Sequence, residues 1–369
     1  MIERVNAWRH AVLATACIVP AFAIRACERD SVESAPALAW DGAGYLAAWE
    51  TLDGDDVLIH THRFAEARAK PSSSAGRVIV RDHEIRSVAH LVTGGGHALL
   101  VYIEGPDPDP DPDEDRSDPP RWLVGAPLDN DGNLAGSPRM LGEHLADASC
   151  GAPVWTGEAF VVGYRQHRGR FGVAVQALAF VNSSGVTRAD TTVSYDEARW
   201  CVLAVSGDAL ALAFEAWDAP HRDQIAIDLV SATTGKPLGA RIWLPERVGS
   251  GRYGLIGDDD GWAALYAGLD GIVRVVRFDR NGVRESIVLP RDVDAATMSL
   301  GANDRGLFVS WIGGGAAHVR ALARGGAHAR ARAASVSSTR TVGHDDECAV
   351  AWLGRGARRV HLMGVERCP

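Results

Sequence analysis

One short pattern recurs seven times along this chain and constrains its fold more than any other feature: an apolar strand, a Gly/Asp turn, and a second apolar strand ending in an aromatic residue. The clearest copy runs Pro36-Ala37-Leu38-Ala39-Trp40, Asp41-Gly42-Ala43-Gly44, Tyr45-Leu46-Ala47-Ala48-Trp49. The next runs from Ser87 to Val92, turns through Gly94 to Gly96, and continues from Ala98 to Tyr102. Later copies place their second strands at Ala159 to Tyr164, Ala209 to Phe214, Trp262 to Tyr266, Leu307 to Trp311 and Cys348 to Trp352. The closing aromatics are 53, 62, 50, 52, 45 and 41 residues apart, a mean of about 50. Seven such units need about 350 residues, and residues 27–369 supply 343.

After each aromatic the chain enters a third strand with period-two alternation, as in Asp56 to His60, Phe171 to Ala177, Gln224 to Ile227 and Ile272 to Val276. Polar turns such as Asp129-Asn130-Asp131-Gly132 and Asp279-Arg280-Asn281-Gly282 lead to a shorter fourth strand, best seen at Arg77 to Val80, Arg241 to Leu244 and Ser286 to Leu289. No segment carries a helical stripe of useful length. Four strands per unit, repeated at this interval, describe a propeller blade. Each blade must bury two apolar faces against neighbours, so the ring has to close. The expected fold is therefore all-β, a seven-bladed β-propeller of four-stranded antiparallel blades, with residues 27–369 as one domain. The seventh unit supplies only three strands, and the segment from Glu28 to Ser34 is the candidate for its missing outer strand, the alternative being a three-stranded last blade.

The repeat resembles that of exported bacterial propeller proteins whose units read as an apolar strand, W-D-G, then x-x-Y-L-V-x-W. The resemblance is clearest at Trp40-Asp41-Gly42 with Tyr45-Leu46 and Trp49, and weakens in the units around Asp208 and Asp345. It implies the fold and says little of function, because propellers carry enzymes, lectins and scaffolds alike.

Residues 1–26 read as an export signal: Arg4, Arg9 and His10 precede an apolar run from Ala11 to Ile24 that is too short to span a bilayer. Ile24-Arg25-Ala26-Cys27 resembles the lipobox of bacterial lipoproteins, with Arg25 standing where that family prefers a small residue, and this makes Cys27 a lipid-anchor candidate. The expected location is the periplasm, the outer membrane through that anchor, or the exterior. Removing residues 1–26, with three arginines and Glu3, moves the net charge from −9 to −11. So acidic a chain lacks the clustered Lys and Arg that nucleic acid requires.

Cys150, Cys201, Cys348 and Cys368 are widely spaced, with no C-x-x-C pair, which argues against zinc and for disulfides in an oxidising compartment. Cys150 and Cys201 hold nearly the same place in adjacent units and are one candidate pair. Cys368 is matched either with Cys348 or, if Cys27 carries no lipid, with Cys27.

The Pro-Asp tract from Pro106 to Pro120 sets Asp107, Asp109, Asp111 and Asp113 at alternate positions, carboxylates of the kind calcium takes. Proline at every second position keeps such a chain extended and unable to wrap an ion, so a solvated insertion is expected. Asp129 to Gly132 and Asp258 to Gly261 resemble fragments of calcium loops, yet they fall at turn positions and lack the closing glutamate. His60-Thr61-His62 puts two imidazoles on one strand face without a third ligand in sequence, and is read as an outer strand bearing ordinary histidines. Glu50, Glu104 and Glu215 lie at or near the ends of second strands, where polar residues terminate apolar runs. There is no nucleophile elbow, zinc-protease helix or repeated Asp-box, and no catalytic residue or cofactor is assigned. The functional expectation is a non-enzymatic, monomeric envelope scaffold for a protein or glycan partner. The alternative is a carbohydrate-active enzyme or lectin working at the mouth of the channel.

Overall fold

In a computed structural model the chain divides into two units, Met1–Val32 and Glu33–Pro369. The structure describes residues 36–365 apart from 67–71, 83–84, 86–89, 106–120, 143–152, 169–172, 195–197, 217–219, 292, 294–296, 304–305, 315, 323–327, 333–335, 345–346 and 355–359. The first unit, with the export signal and the Cys27 candidate, lies outside these residues, as do the Glu28 to Ser34 segment and the Pro-Asp tract. The described chain is all strand and turn, without helix.

The first sheet has the order β1-β2-β3-β5, from β1 (Ala37–Trp40), β2 (Tyr45–Asp53), β3 (Asp56–Phe64) and β5 (Arg77–Asp82), while β4 (Ser72–Ser74) leaves it to pair elsewhere. The second is β6 (His90–Gly94), β7 (His97–Glu104), β8 (Trp122–Leu128) and β9 (Arg139–Gly142). The third is β10 (Val154–Trp155), β11 (Phe160–Arg168), β12 (Val173–Val181) and β13 (Thr187–Ser194). A seven-stranded sheet follows: β14 (Ala198–Ser206), β15 (Ala209–Ala216), β16 (Gln224–Ser231), β17 (Ile242–Asp258), β18 (Gly261–Gly268), β19 (Val273–Asp279) and β20 (Gly282–Val288). Next come β21 (Ser299–Asn303), β22 (Gly306–Gly313), β23 (Ala316–Ala321) and β24 (His328–Arg332). The last sheet is β25 (Val336–His344), β26 (Glu347–Gly354), β27 (Val360–Val365) and the early strand β4.

Two features depart from expectation. The outer strand of the last sheet is β4, with Val360, His361 and Leu362 paired to Ser74, Ser73 and Ser72, where the expectation offered the Glu28 to Ser34 segment or a three-stranded blade. The fourth and fifth repeats also share one strand: the start of β17 pairs with β16 through Ile242, Trp243 and Arg247, and its remainder pairs with β18 from Val248 to Asp258.

The second strand of each unit is sandwiched between neighbouring sheets, which is why it reads as an unbroken apolar run and not as alternation. β15 is buried along its whole length. Its Leu210, Leu212 and Phe214 pack against Val161, Leu178 and Phe180 of the third sheet. Its Ala209, Ala211 and Ala213 face the other way, and their small size admits Trp262 and Tyr266 of β18. Burying a Leu or Phe contributes about 1.5–3 kcal/mol, so large-against-small matching of this kind carries most of the stability. Consecutive sheets share such a core throughout, and a further core joins Leu38, Tyr45, Ala47 and Trp49 to Ala349, Ala351, Val360 and Leu362. The inner strands follow one another side by side in the order β1, β6, β10, β14, β17, β21, β25, and β25 also lies beside β1.

Candidate functional site

Two of the inner hairpin turns are held by aspartates. Asp41 Oδ1 accepts the backbone N–H groups of Ala43 and Gly44, both at 3.0 Å, in a turn where Gly42 has φ +94°. Arg63 on β3, reaching back from opposite Leu46, donates to both oxygens of Asp41, at 2.8 Å to Oδ1. The β17–β18 turn repeats the device: Asp258 Oδ1 accepts the Asp260 N–H at 3.0 Å, and Arg277, opposite Ala263, donates to Oδ2 at 2.7 Å. Asp129 is spent in the same way, its Oδ1 accepting the N–H groups of Asp131 at 2.9 Å and Asn133 at 2.8 Å. Its loop docks on the first sheet, where Thr61 Oγ1 donates to the Gly132 carbonyl at 2.7 Å and Arg63 to that of Asn130. Both calcium-loop look-alikes are thus backbone-capped turns.

The two histidines of His60-Thr61-His62 lie on the third strand of a four-stranded order, inside the sheet and not at its outer edge as expected. His60 is buried against Trp49, and its Nε2 hydrogen-bonds Thr51 Oγ1 at 2.7 Å. His62 meets Phe64 edge-on at 4.5 Å, and burial pushes its pKa down. Sequence reasoning missed that the Trp49–His60 pairing recurs: Trp311 stacks on His318 and Trp352 on His361, each directly across the second and third strands of its unit. The signal was present as a His 11, 7 and 9 residues after a closing Trp.

Glu50, Glu104 and Glu215 sit on β2, β7 and β15, three different strand systems. Burial, then the charge of Glu104 and its hydrogen bond, push the Tyr102 phenol far up. Tyr266 is raised likewise by burial and by its hydrogen bond to Glu246. Cys201 and Cys348 are buried; Cys27, Cys150, Cys368 and the carboxylates Asp107, Asp109, Asp111 and Asp113 lie outside the described residues. Among the described residues no group of three His, Cys, Asp or Glu side chains is placed to hold a metal ion.

A concave site does form on the side of the fourth unit, a cavity of about 460 Å³ lined by Asp228, Leu229, Val230, Pro237, Gly239, Arg241 and Trp243. Arg241 grips Asp228 with two parallel hydrogen bonds, Nε to Oδ1 at 2.8 Å and Nη2 to Oδ2 at 2.9 Å. Its guanidinium lies over the Phe214 ring at 4.8 Å and the Trp243 ring at 5.6 Å. His221 stacks on Trp243 at 3.9 Å and is itself held by Gln224 Oε1 at 2.8 Å. The result is a wall of one aromatic side chain, Trp243, beside an ion pair, suited to meet an apolar or planar group next to a polar one. Asp228 and Arg241 are 13 residues apart across a hairpin, so no local motif announced them.

No protein-family model and no curated protein matches this sequence. Among solved structures, acylaminoacyl peptidase from Pyrococcus horikoshii is similar over 88% of this chain and 50% of that one, with TM-score 0.50 and 9% identity. A structure from a study of two prolyl endopeptidases is similar over 89% and 47%, with TM-score 0.49 and 16% identity. The β-propeller domain of Cps50 (Swd1) from Myceliophteria thermophila is similar over 90% and 97%, with TM-score 0.48 and 11% identity. The fold is propeller-like. This chain spans about half the length of the two peptidase chains. The expectation of a non-enzymatic scaffold, with a glycan-directed enzyme or lectin as alternative, is corrected by the likeness at TM-score 0.50, which is to a peptidase.

Proposed function

We propose that this chain is a seven-bladed propeller of the peptidase type, which receives peptides in extended form for hydrolysis. The observation that carries this reading is the likeness to acylaminoacyl peptidase across 88% of the chain. The count of seven is supported by dividing the seven-stranded sheet at β17, which gives seven four-stranded units with β4 completing the last, and the core joining the first and last sheets supports a ring. The aromatic wall at Trp243 and the ion pair of Arg241 with Asp228 suit a peptide side chain flanked by its polar backbone.

The test pairs two measurements on the purified chain with fluorogenic N-acylated and proline-containing peptides: fluorescence polarisation for binding and fluorophore release for cleavage. Saturable peptide binding is expected. Binding to a glycan array in place of peptide, or to neither, overturns the reading. A crystal structure with experimental phases checks the count of seven blades, and six would overturn it.

Export, a monomeric state and relationship to the exported propeller repeat proteins belong to the same proposal. Mass spectrometry of the mature N-terminus reads the cleavage after Ala26 and any lipid on Cys27. Pairing of Cys201 with Cys150, and of Cys368 with Cys348 or Cys27, belongs to the same proposal, and non-reducing peptide mapping reads it directly.

A further inference from the structure

The hollow beside Trp243 has a local cause in the hairpin that builds it. Val230 is bridged to Pro237 and Ile227 pairs with Ile242, so Asp228 and Leu229 stand opposite four residues, Leu238 to Arg241. The two surplus residues bow the chain out of the ladder. At that bow Gly239 contributes no side chain, and a Cβ added there would meet nothing within 4 Å. The gap it leaves belongs to the cavity lined by Asp228, Val230, Pro237, Arg241 and Trp243.

Arg241 gives this gap its chemistry. Its Nε and Nη2 both donate to Asp228, which holds the guanidinium in place and balances its charge. Phe214, which the guanidinium covers at 4.8 Å, is fully buried and is not among the cavity's lining residues, so Arg241 separates that ring from the cavity. A group entering the cavity therefore meets the guanidinium from the side away from Phe214. Guanidinium groups stack on aromatic faces, and one already fixed by a carboxylate loses little freedom in doing so. An acidic group gains little beside a charge that Asp228 has balanced, and a basic one faces Arg241 itself.

We propose that this cavity is a subsite for one aromatic side chain of a bound peptide, its ring lying against the Arg241 guanidinium in the gap at Gly239, with Pro237 and Trp243 beside it. This rests on the peptide-handling reading above and gives it a specificity. The cavity, at about 460 Å³, falls in the range of about 300–1,000 Å³ that takes small-molecule groups. An aliphatic side chain of the same bulk gains the burial without the stack, which separates the two kinds of occupant.

The experiment uses fluorescence polarisation on the full chain. The probes are three N-acetylated alanine hexapeptides with fluorescein on a C-terminal lysine, carrying phenylalanine, cyclohexylalanine or alanine at the third position. The phenylalanine peptide is expected to bind about fivefold more tightly than the cyclohexylalanine one. Gly239 has no positive φ, so Gly239→Leu fills the gap without backbone strain and should weaken the phenylalanine peptide about tenfold, to the level of the alanine peptide. Arg241→Lys keeps a charge beside Asp228 without the planar group, and should equalise the phenylalanine and cyclohexylalanine peptides. If G239L does not melt as the parent does, R241K decides alone. Equal binding of the phenylalanine and alanine peptides, or of the phenylalanine and cyclohexylalanine peptides, by the parent overturns the subsite, as does a phenylalanine preference that survives R241K. Each of these leaves the peptide-handling reading standing, whereas failure to bind these probes and also the N-acylated and proline-containing peptides overturns both.

Discussion

His60 lies flat against Trp49, with ring centroids 5.3 Å apart and planes 11° from parallel. The pair sits directly across β2 and β3, and Trp49 also belongs to the core between the first and last sheets, so one side-chain contact couples a hairpin to that core. Replacing His60 with Ala removes the stack and the partner of Thr51, and a loss of about 1–3 kcal/mol is expected. Urea unfolding of H60A beside H318A measures it, and the two losses should be similar because Trp311 and His318 stack in the same way at 5.0 Å. A loss under about 0.5 kcal/mol at both sites would reduce the stacks to incidental neighbours.

The Asp41–Arg63 pair closes the first inner turn from the third strand. Asp41→Ala removes two backbone acceptor contacts and one partly buried ion pair, a loss of about 1–3 kcal/mol. Asp41→Asn, which keeps an oxygen for the turn, should recover part of it. Thermal melts of both variants decide the matter, and equal destabilisation would show that the ion pair outweighs the turn.

Gly132 and Gly54 both have positive φ, +81° and +67°. An added Cβ meets nothing at Gly54 but comes within 2.8 Å of Leu46 Cδ1 at Gly132. G54A should cost about 1 kcal/mol from backbone strain alone. G132A should cost clearly more, because the 129–133 loop must lift from Leu46 and Thr61. Equal losses in equilibrium unfolding would mean that the loop docks too loosely to matter.

Acid should weaken the fifth unit. The hydrogen bond from Arg274, then that from the Ile272 N–H, lower the Asp270 carboxyl to about 2. A carboxyl depressed in the folded state contributes stability that is present above its unfolded value near 4 and lost as the pH falls towards 2. Denaturation midpoints of the parent should therefore fall more steeply than those of D270N between pH 4 and 2, and parallel curves would refute the coupling.

At the alkaline end, Tyr102 and Tyr266 are held neutral by burial and by the carboxylates of Glu104 and Glu246. Their raised values mean stability that is present below pH 10 and lost above it. Both phenols should ionise late in an ultraviolet titration, above the ordinary tyrosine range. Y102F and Y266F should each remove one late-titrating phenol.

Strand order within each unit was legible in the residues because period-two alternation, Gly/Asp turns and closing aromatics are local signals, and β2, β7, β15, β18, β22 and β26 all form where the repeat places them. The Asp turns were legible for the same reason, and the turn at Asp258 forms where the repeat marks it. Tertiary structure alone decided that β4 completes the last sheet, since Ser72-Ser73-Ser74 carries no alternation and pairs by backbone atoms that every residue shares. It alone decided that β17 serves two units, because a strand passing from one partner to the next leaves no break in its own pattern. The wall of Trp243, Arg241 and Asp228 likewise exists only once a hairpin has folded, because its geometry belongs to residues that meet across strands and not along them.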